Sequence, residues 1–150
     1  MIRDDLKAAL VSAMKGGDKP RVGTIRLIQS ALKNRDIELR GKEAGDDDAL
    51  VTEVLQKMIK QRRESIEMYT KGGRQELADA EAAEIAVIEG FLPAQMSEAE
   101  LGAAIDAIVA DTGAASIKDM GRVMAALKER HAGQVDMGKA GAMVRGKLGT

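Results

Sequence analysis

Cysteine and tryptophan are absent from this 150-residue chain, which has one tyrosine, one phenylalanine, one histidine and two prolines. Without cysteine there is no disulfide, no thiolate zinc site and no cysteine nucleophile, the cysteine type of glutaminase included; such a chain suits a reducing compartment. A single histidine, His131, rules out paired-histidine metal sites. No apolar run approaches the roughly 20 residues that span a bilayer. The opening Met1-Ile2-Arg3-Asp4-Asp5 turns acidic where a signal peptide turns apolar, so the expected location is the cytoplasm, with no membrane partner.

Catalytic signatures are missing too. The chain has no GxSxG elbow, no Walker loop and no GxGxxG. Ser12, Ser30, Ser65, Ser97 and Ser116 are too scattered to form the serine-rich, glycine-rich loop of a serine-lysine amidase. The run Asp46-Asp47-Asp48 lacks the spaced ligands and distal glutamate of a calcium loop and reads as a helix N-cap region. The expectation is no catalytic residue, no cofactor and no metal.

What the chain does have is helix-forming material. Scarce aromatics with abundant Ala, Leu, Lys and Glu argue for an all-α fold, because strands draw on β-branched and aromatic residues. A first helix is expected from about Ile2 to Lys15 and ends at Gly16-Gly17. Asp18 and Pro20 open a second, which buries Val22, Ile25, Ile28 and Leu32 and runs to about Arg40. A polar loop, 41–48, leads to a third helix from about Ala49 to Lys71, stopped by Gly72-Gly73. The fourth, from Arg74 to about Glu89, ends in Gly90-Phe91-Leu92-Pro93.

That proline junction divides the chain into an N-terminal helical domain, 1–92, and a C-terminal tail domain of three helices, 93–150. In the tail, Ser97 and Glu100 form a capping box for a fifth helix that ends at Gly113. Two shorter helices follow, from about Lys118 to Arg130 with Ser116 as cap, and from about Met137 to Leu148 with Asp136 as cap.

Net charge is −1, yet its distribution is uneven. Residues 1–40 hold nine Lys/Arg against five Asp/Glu, whereas residues 72–100 hold only Arg74 against seven acids. The last thirty-three positions carry seven basic residues, Lys118, Arg122, Lys128, Arg130, Lys139, Arg145 and Lys147, against Asp119, Glu129 and Asp136. Cations and helix N-termini together suit phosphate oxygens. Gly121 and Gly138 either let a backbone approach closely or permit close helix packing. With only Tyr69 and Phe91 for stacking, such a surface reads shape and phosphate rather than splayed bases.

Several segments, in order, resemble the GatB/YqeY family. In the first half these are Thr24-Ile25-Arg26 leading to Ser30-Ala31-Leu32-Lys33-Asn34, then 60–65 (Lys-Gln-Arg-Arg-Glu-Ser), Gly73-Arg74, Glu84-Ile85 and Phe91-Leu92-Pro93. In the second half they are 119–124 (Asp-Met-Gly-Arg-Val-Met) and Gly133 through Asp136 to Gly138-Lys139, closing with Val144 and Leu148. The resemblance implies a tail like the C-terminal domain of the B subunit of the tRNA-dependent amidotransferase, which helps hold tRNA during amidation. The family label of carbon-nitrogen ligase with glutamine as amide donor belongs to the larger enzyme, whose kinase core and amidase have no counterpart here. Gln134 departs from the pattern, where a basic residue is frequent.

Read this way, the chain is a tRNA-binding accessory of translation. Lys118, Gly121, Arg122, Lys128, Gly138, Lys139, Arg145 and Lys147 form the nucleic-acid site, and tRNA or another structured RNA, an aminoacyl-tRNA synthetase and an amidotransferase are the expected partners. The competing reading is a protein-interaction adaptor that docks through the acidic fourth helix and the Met-rich tail. Three smaller expectations accompany these. The run 60–65 is open to three readings, a second RNA contact, a salt-bridged surface with Lys60 and Glu64 paired, or, the one favoured, an Arg62 in register with Leu55, Met58, Ile59, Ile66 and Tyr69 that turns inward to a carboxylate such as Glu84. His131 caps a helix end. Met120, Met124, Met137 and Met143 fill the tail core.

Overall fold

The computed structural model describes residues 1–42 and 45–149, so the centre of the expected polar loop, residues 43 and 44, lies outside the described residues. Among these there are seven α-helices, one 3-10 turn and no strand, so the fold is all-α. The helices are α1 (Ile2–Lys15), α2 (Lys19–Glu38), α3 (Asp47–Lys71), α4 (Gln75–Glu89), α5 (Glu98–Thr112), α6 (Met120–Arg130) and α7 (Met137–Leu148); the 3-10 turn is Ile117–Asp119. Two compact units result, Met1–Leu92 and Pro93–Thr150, each with its own core.

In the first unit the apolar residues of α1 to α3 recur every three or four positions, which puts Leu6, Ile25, Ile28, Val51 and Leu55 on inward stripes where each is almost fully buried. Ile88 of α4 completes that core. Asp18 accepts from the Arg21 N–H at 3.2 Å and starts α2. The helix ends at Glu38 rather than Arg40, because the Arg40 N–H turns to Ile37 O at 3.2 Å and Gly41 takes φ +78°. In the other direction α3 starts two residues before Ala49. Asp46 accepts from the Asp48 N–H at 3.0 Å, and two carboxylates in the first turn suit the helix dipole.

The three aspartates therefore have separate duties. Asp46 caps α3, while Asp48 reaches back to accept from the Ile2 N–H at 3.0 Å and caps α1. Asp47 takes Arg3 Nε at 2.9 Å, and the other edge of the same guanidinium forks onto Asp36 at 2.8 and 3.0 Å. Arg3 thus ties α1 to the end of α2 and the start of α3. Its hydrogen bonds hold the Asp36 carboxyl below its ordinary range.

Arg3→Ala is expected to cost about 1 kcal/mol, the upper range for partly solvated pairs, since all three side chains keep solvent contact. A carboxyl with a lowered folded pKa adds stability that is complete above the ordinary carboxylate range and vanishes as pH falls through the folded value. The melting difference between wild type and Arg3→Ala should therefore shrink from pH 6 to pH 3. A difference constant over that interval would exclude the clasp.

The second unit is a three-helix module. The Ser97 hydroxyl accepts from the Glu100 N–H and Glu100 Oε1 accepts from the Ser97 N–H, both at 3.1 Å, which closes the expected capping box. Gly113 ends α5 at φ +67°, a left-handed conformation that favours glycine. The expected helix from Lys118 begins as the 3-10 turn because Asp119 folds back to accept from the Ala115 and Ser116 N–H groups at 2.9 and 3.3 Å. His131 is the C-cap of α6, its N–H on Leu127 O. Met120, Met124, Met137 and Met143 pack against a core of Ile105, Val123, Leu127 and Val144.

Candidate nucleic-acid interface

Both later helices of the tail are amphipathic, and their outward faces carry the basic residues. On α7, Ala140, Gly141, Val144 and Leu148 turn inward. The opposite face has Gly138, Ala142 and Gly146 four residues apart down its middle, all three exposed. Lys139 and Arg145 flank that line on either side and are exposed as well. Asp136 starts the helix by accepting from the Gly138 and Lys139 N–H groups at 2.9 and 3.2 Å. The 3-10 turn that bears exposed Lys118 packs against α7, and Lys128 is exposed on α6.

The basic residues fall into two groups. Arg122 donates to Asp119 at 2.9 Å and to Thr112 O at 3.3 Å, and so straps the turn between α5 and α6. Arg130 faces Asp111 at 2.8 Å and Lys147 faces Asp106 at 2.7 Å, both acids of α5. Asp119 is held below its ordinary range by the Ala115 N–H and by Arg122. Charge at these three positions is offset on the spot, which weakens any counterion release they provide. Lys118, Lys128, Lys139 and Arg145 enter no ion pair among the described residues.

The glycines divide as well. A Cβ at Gly121 or Gly146 would meet nothing within 4 Å, and one at Gly138 would meet only its own cap, Asp136 Oδ1, at 3.3 Å. None of the three serves helix packing. Gly141 and Gly102 do face neighbouring helices, but a Cβ there would lie 3.6 Å from Met120 Cε and 3.5 Å from Met143 Cε, ordinary contacts that an alanine could make. The Gly138-x3-Ala142-x3-Gly146 spacing was the available sequence signal for the smooth face. Gly141 and Gly102 had none, since their methionine neighbours come from other helices.

Elsewhere, the acidic fourth helix is largely matched from within. Arg62 turns inward, with Nε 2.7 Å from Glu84 and 3.9 Å from Glu81. Arg63 faces Glu89 at 3.4 Å and Arg74 faces Glu76 at 2.9 Å. Among the described residues no cluster of side chains suits a metal ion, and no helix is long and apolar enough to cross a membrane.

These features define an all-helical protein of two compact units, the second a three-helix module with a smooth, cationic helix face. Residues 3–148 match the family described as Yqey-like protein, and the chain belongs to that family. It is similar to the protein named "Altered inheritance of mitochondria protein 41, mitochondrial" in three organisms. Identity is 34% over 110 residues for Lachancea thermotolerans, covering 71% of this chain and 57% of that protein. It is 36% over 86 residues for Kluyveromyces lactis (57% and 45%) and 34% over 106 residues for Eremothecium gossypii (69% and 57%). The chain thus spans about half the length of these curated relatives.

Proposed function

We propose that the protein is a tRNA-binding accessory of aminoacylation or transamidation that works in the cytoplasm and has no catalytic centre of its own. Its tail plays the part of the C-terminal domain of the amidotransferase B subunit, and the carbon-nitrogen ligase label stays with that larger enzyme. The word "mitochondrial" in the relatives' names describes those proteins. One observation carries the reading: on α7, Lys139 and Arg145 stand unpaired on either side of a surface with no side chain larger than alanine. Two cations across a smooth ridge let a phosphate backbone lie close along the helix, and shape rather than base identity is read. Lys118 and Lys128, exposed and without an ion pair among the described residues, add positive charge to the same unit, and an aminoacyl-tRNA synthetase or amidotransferase would share the RNA.

Filter binding of the whole protein to bulk tRNA between about 50 and 200 mM salt tests it. Affinity should fall steeply and log-linearly with salt, and an unstructured RNA of equal length should bind more weakly. Salt-independent binding would exclude this mechanism.

A further inference from the structure

Positive charge also survives on the first unit, at a place the tail does not account for. A groove runs between α1 and α2, with the buried Leu6 and Leu32 at its floor and Lys7, Gln29 and Lys33 along its sides; the Arg3–Asp36 pair closes one end. Arg26, three residues before Gln29 and seven before Lys33, continues the basic side along the same face of α2. On α1, Val11 and Met14 stand four and seven residues beyond Lys7. They are 51% and 54% exposed, two of the six large apolar side chains that this unit leaves open to solvent. Lys7, Arg26 and Lys33 enter no ion pair among the described residues, whereas Glu76, Glu81, Glu84 and Glu89 of α4 are drawn to Arg74, Arg62 and Arg63. Asp4, exposed and likewise without an ion pair, stands three residues before Lys7, so the unpaired charge of this face is three cations against one carboxylate, and it borders an apolar strip.

We propose that the α1–α2 groove seats an acidic amphipathic helix of a partner protein, with its apolar anchors on Val11 and Met14 and its carboxylates on Lys7, Arg26 and Lys33. Charge complementarity selects acidic flanks, and the i, i+4, i+7 spacing of Lys7, Val11 and Met14 puts the three on one face of α1, open to a partner helix laid against it. RNA gains from the lysines but nothing from two exposed aliphatic side chains, so the apolar strip favours a protein ligand.

The test uses the full chain and a labelled synthetic 18-residue peptide with leucines at i, i+3/i+4 and i+7 and glutamates beside them, followed by fluorescence anisotropy. K7E/K33E and V11Q/M14Q, all at exposed positions, should each weaken binding at least tenfold, and amide-resonance shifts on titration should map to α1 and α2. K139E/R145E should leave peptide affinity unchanged. The proposal is overturned if the peptide does not bind, if a scrambled peptide of the same composition binds equally, or if K7E/K33E lowers tRNA affinity and spares the peptide. That last outcome would assign the groove to RNA.

Discussion

Arg62→Leu is expected to destabilise the first helical unit by about 2–3 kcal/mol, somewhat less than the 3–5 of a fully buried pair because its partners keep some water. The Arg62 side chain is 14% exposed, and its guanidinium lies against Glu84, Glu81 and the carbonyl of Met58, which accepts from Nη1 at 3.2 Å. Removing it strands two carboxylates one helical turn apart on the inner side of α4, each only a quarter to a third exposed. At roughly 4–8 °C per kcal/mol for a unit of this size, the melting temperature should drop by about 10–20 °C. The double variant Arg62→Leu/Glu84→Leu removes charge from both sides and should regain much of the loss, since well-packed apolar pairs replace buried ion pairs at little cost. A single variant that melts within about 2 °C of wild type would show that the pair contributes nothing beyond a solvated one.

Arg62 also shows how far the sequence can be read. Its register with Leu55, Met58, Ile59 and Ile66 is a property of one helix, and a cation on an apolar stripe must find a carboxylate nearby, so its inward turn is legible, while Glu84, 22 residues on in α4, is only one candidate among the acids of that helix. Helix starts are equally legible, because Asp18, Ser97 and Asp136 act on N–H groups two or three residues away. Arg3 is not. Its partners lie 33 and 44 residues on, and only the packing of three helices brings them together.

The tail repeats this division at the candidate site. Net positive charge in the last thirty-three residues is visible in composition, but which cations stay unpaired depends on where α5 places Asp106 and Asp111. Arg122 and Lys147 look equivalent to Lys139 and Arg145 in the chain and differ from them in the fold. The same holds for Gly121 and Gly141: one faces open space and the other faces Met120, although each sits within a helical pattern. Local interactions are legible; pairings set by the crossing of helices are not.

That difference decides the largest expected effect on binding. Charge reversal in K139E/R145E should weaken tRNA binding by about tenfold per position near 0.1 M salt, and K139Q/R145Q should lower the salt slope by roughly 2, close to one released counterion for each cation removed from a phosphate. Arg122→Gln should act differently: it loosens the turn held by Asp119 and Thr112 O, lowers the melting temperature of the tail and changes RNA affinity little. Gly146 separates stability from recognition. Gly146→Ala replaces an exposed helical glycine with no neighbour in the way, so it should stabilise the tail by about 0.5–1 kcal/mol and leave binding intact. Gly146→Leu should keep that helix and still reduce tRNA affinity, because the side chain rises between Lys139 and Arg145 where the phosphate backbone would lie. If leucine binds tRNA as well as alanine does, the RNA does not run along α7, and the four unpaired cations act as a diffuse field rather than a seat.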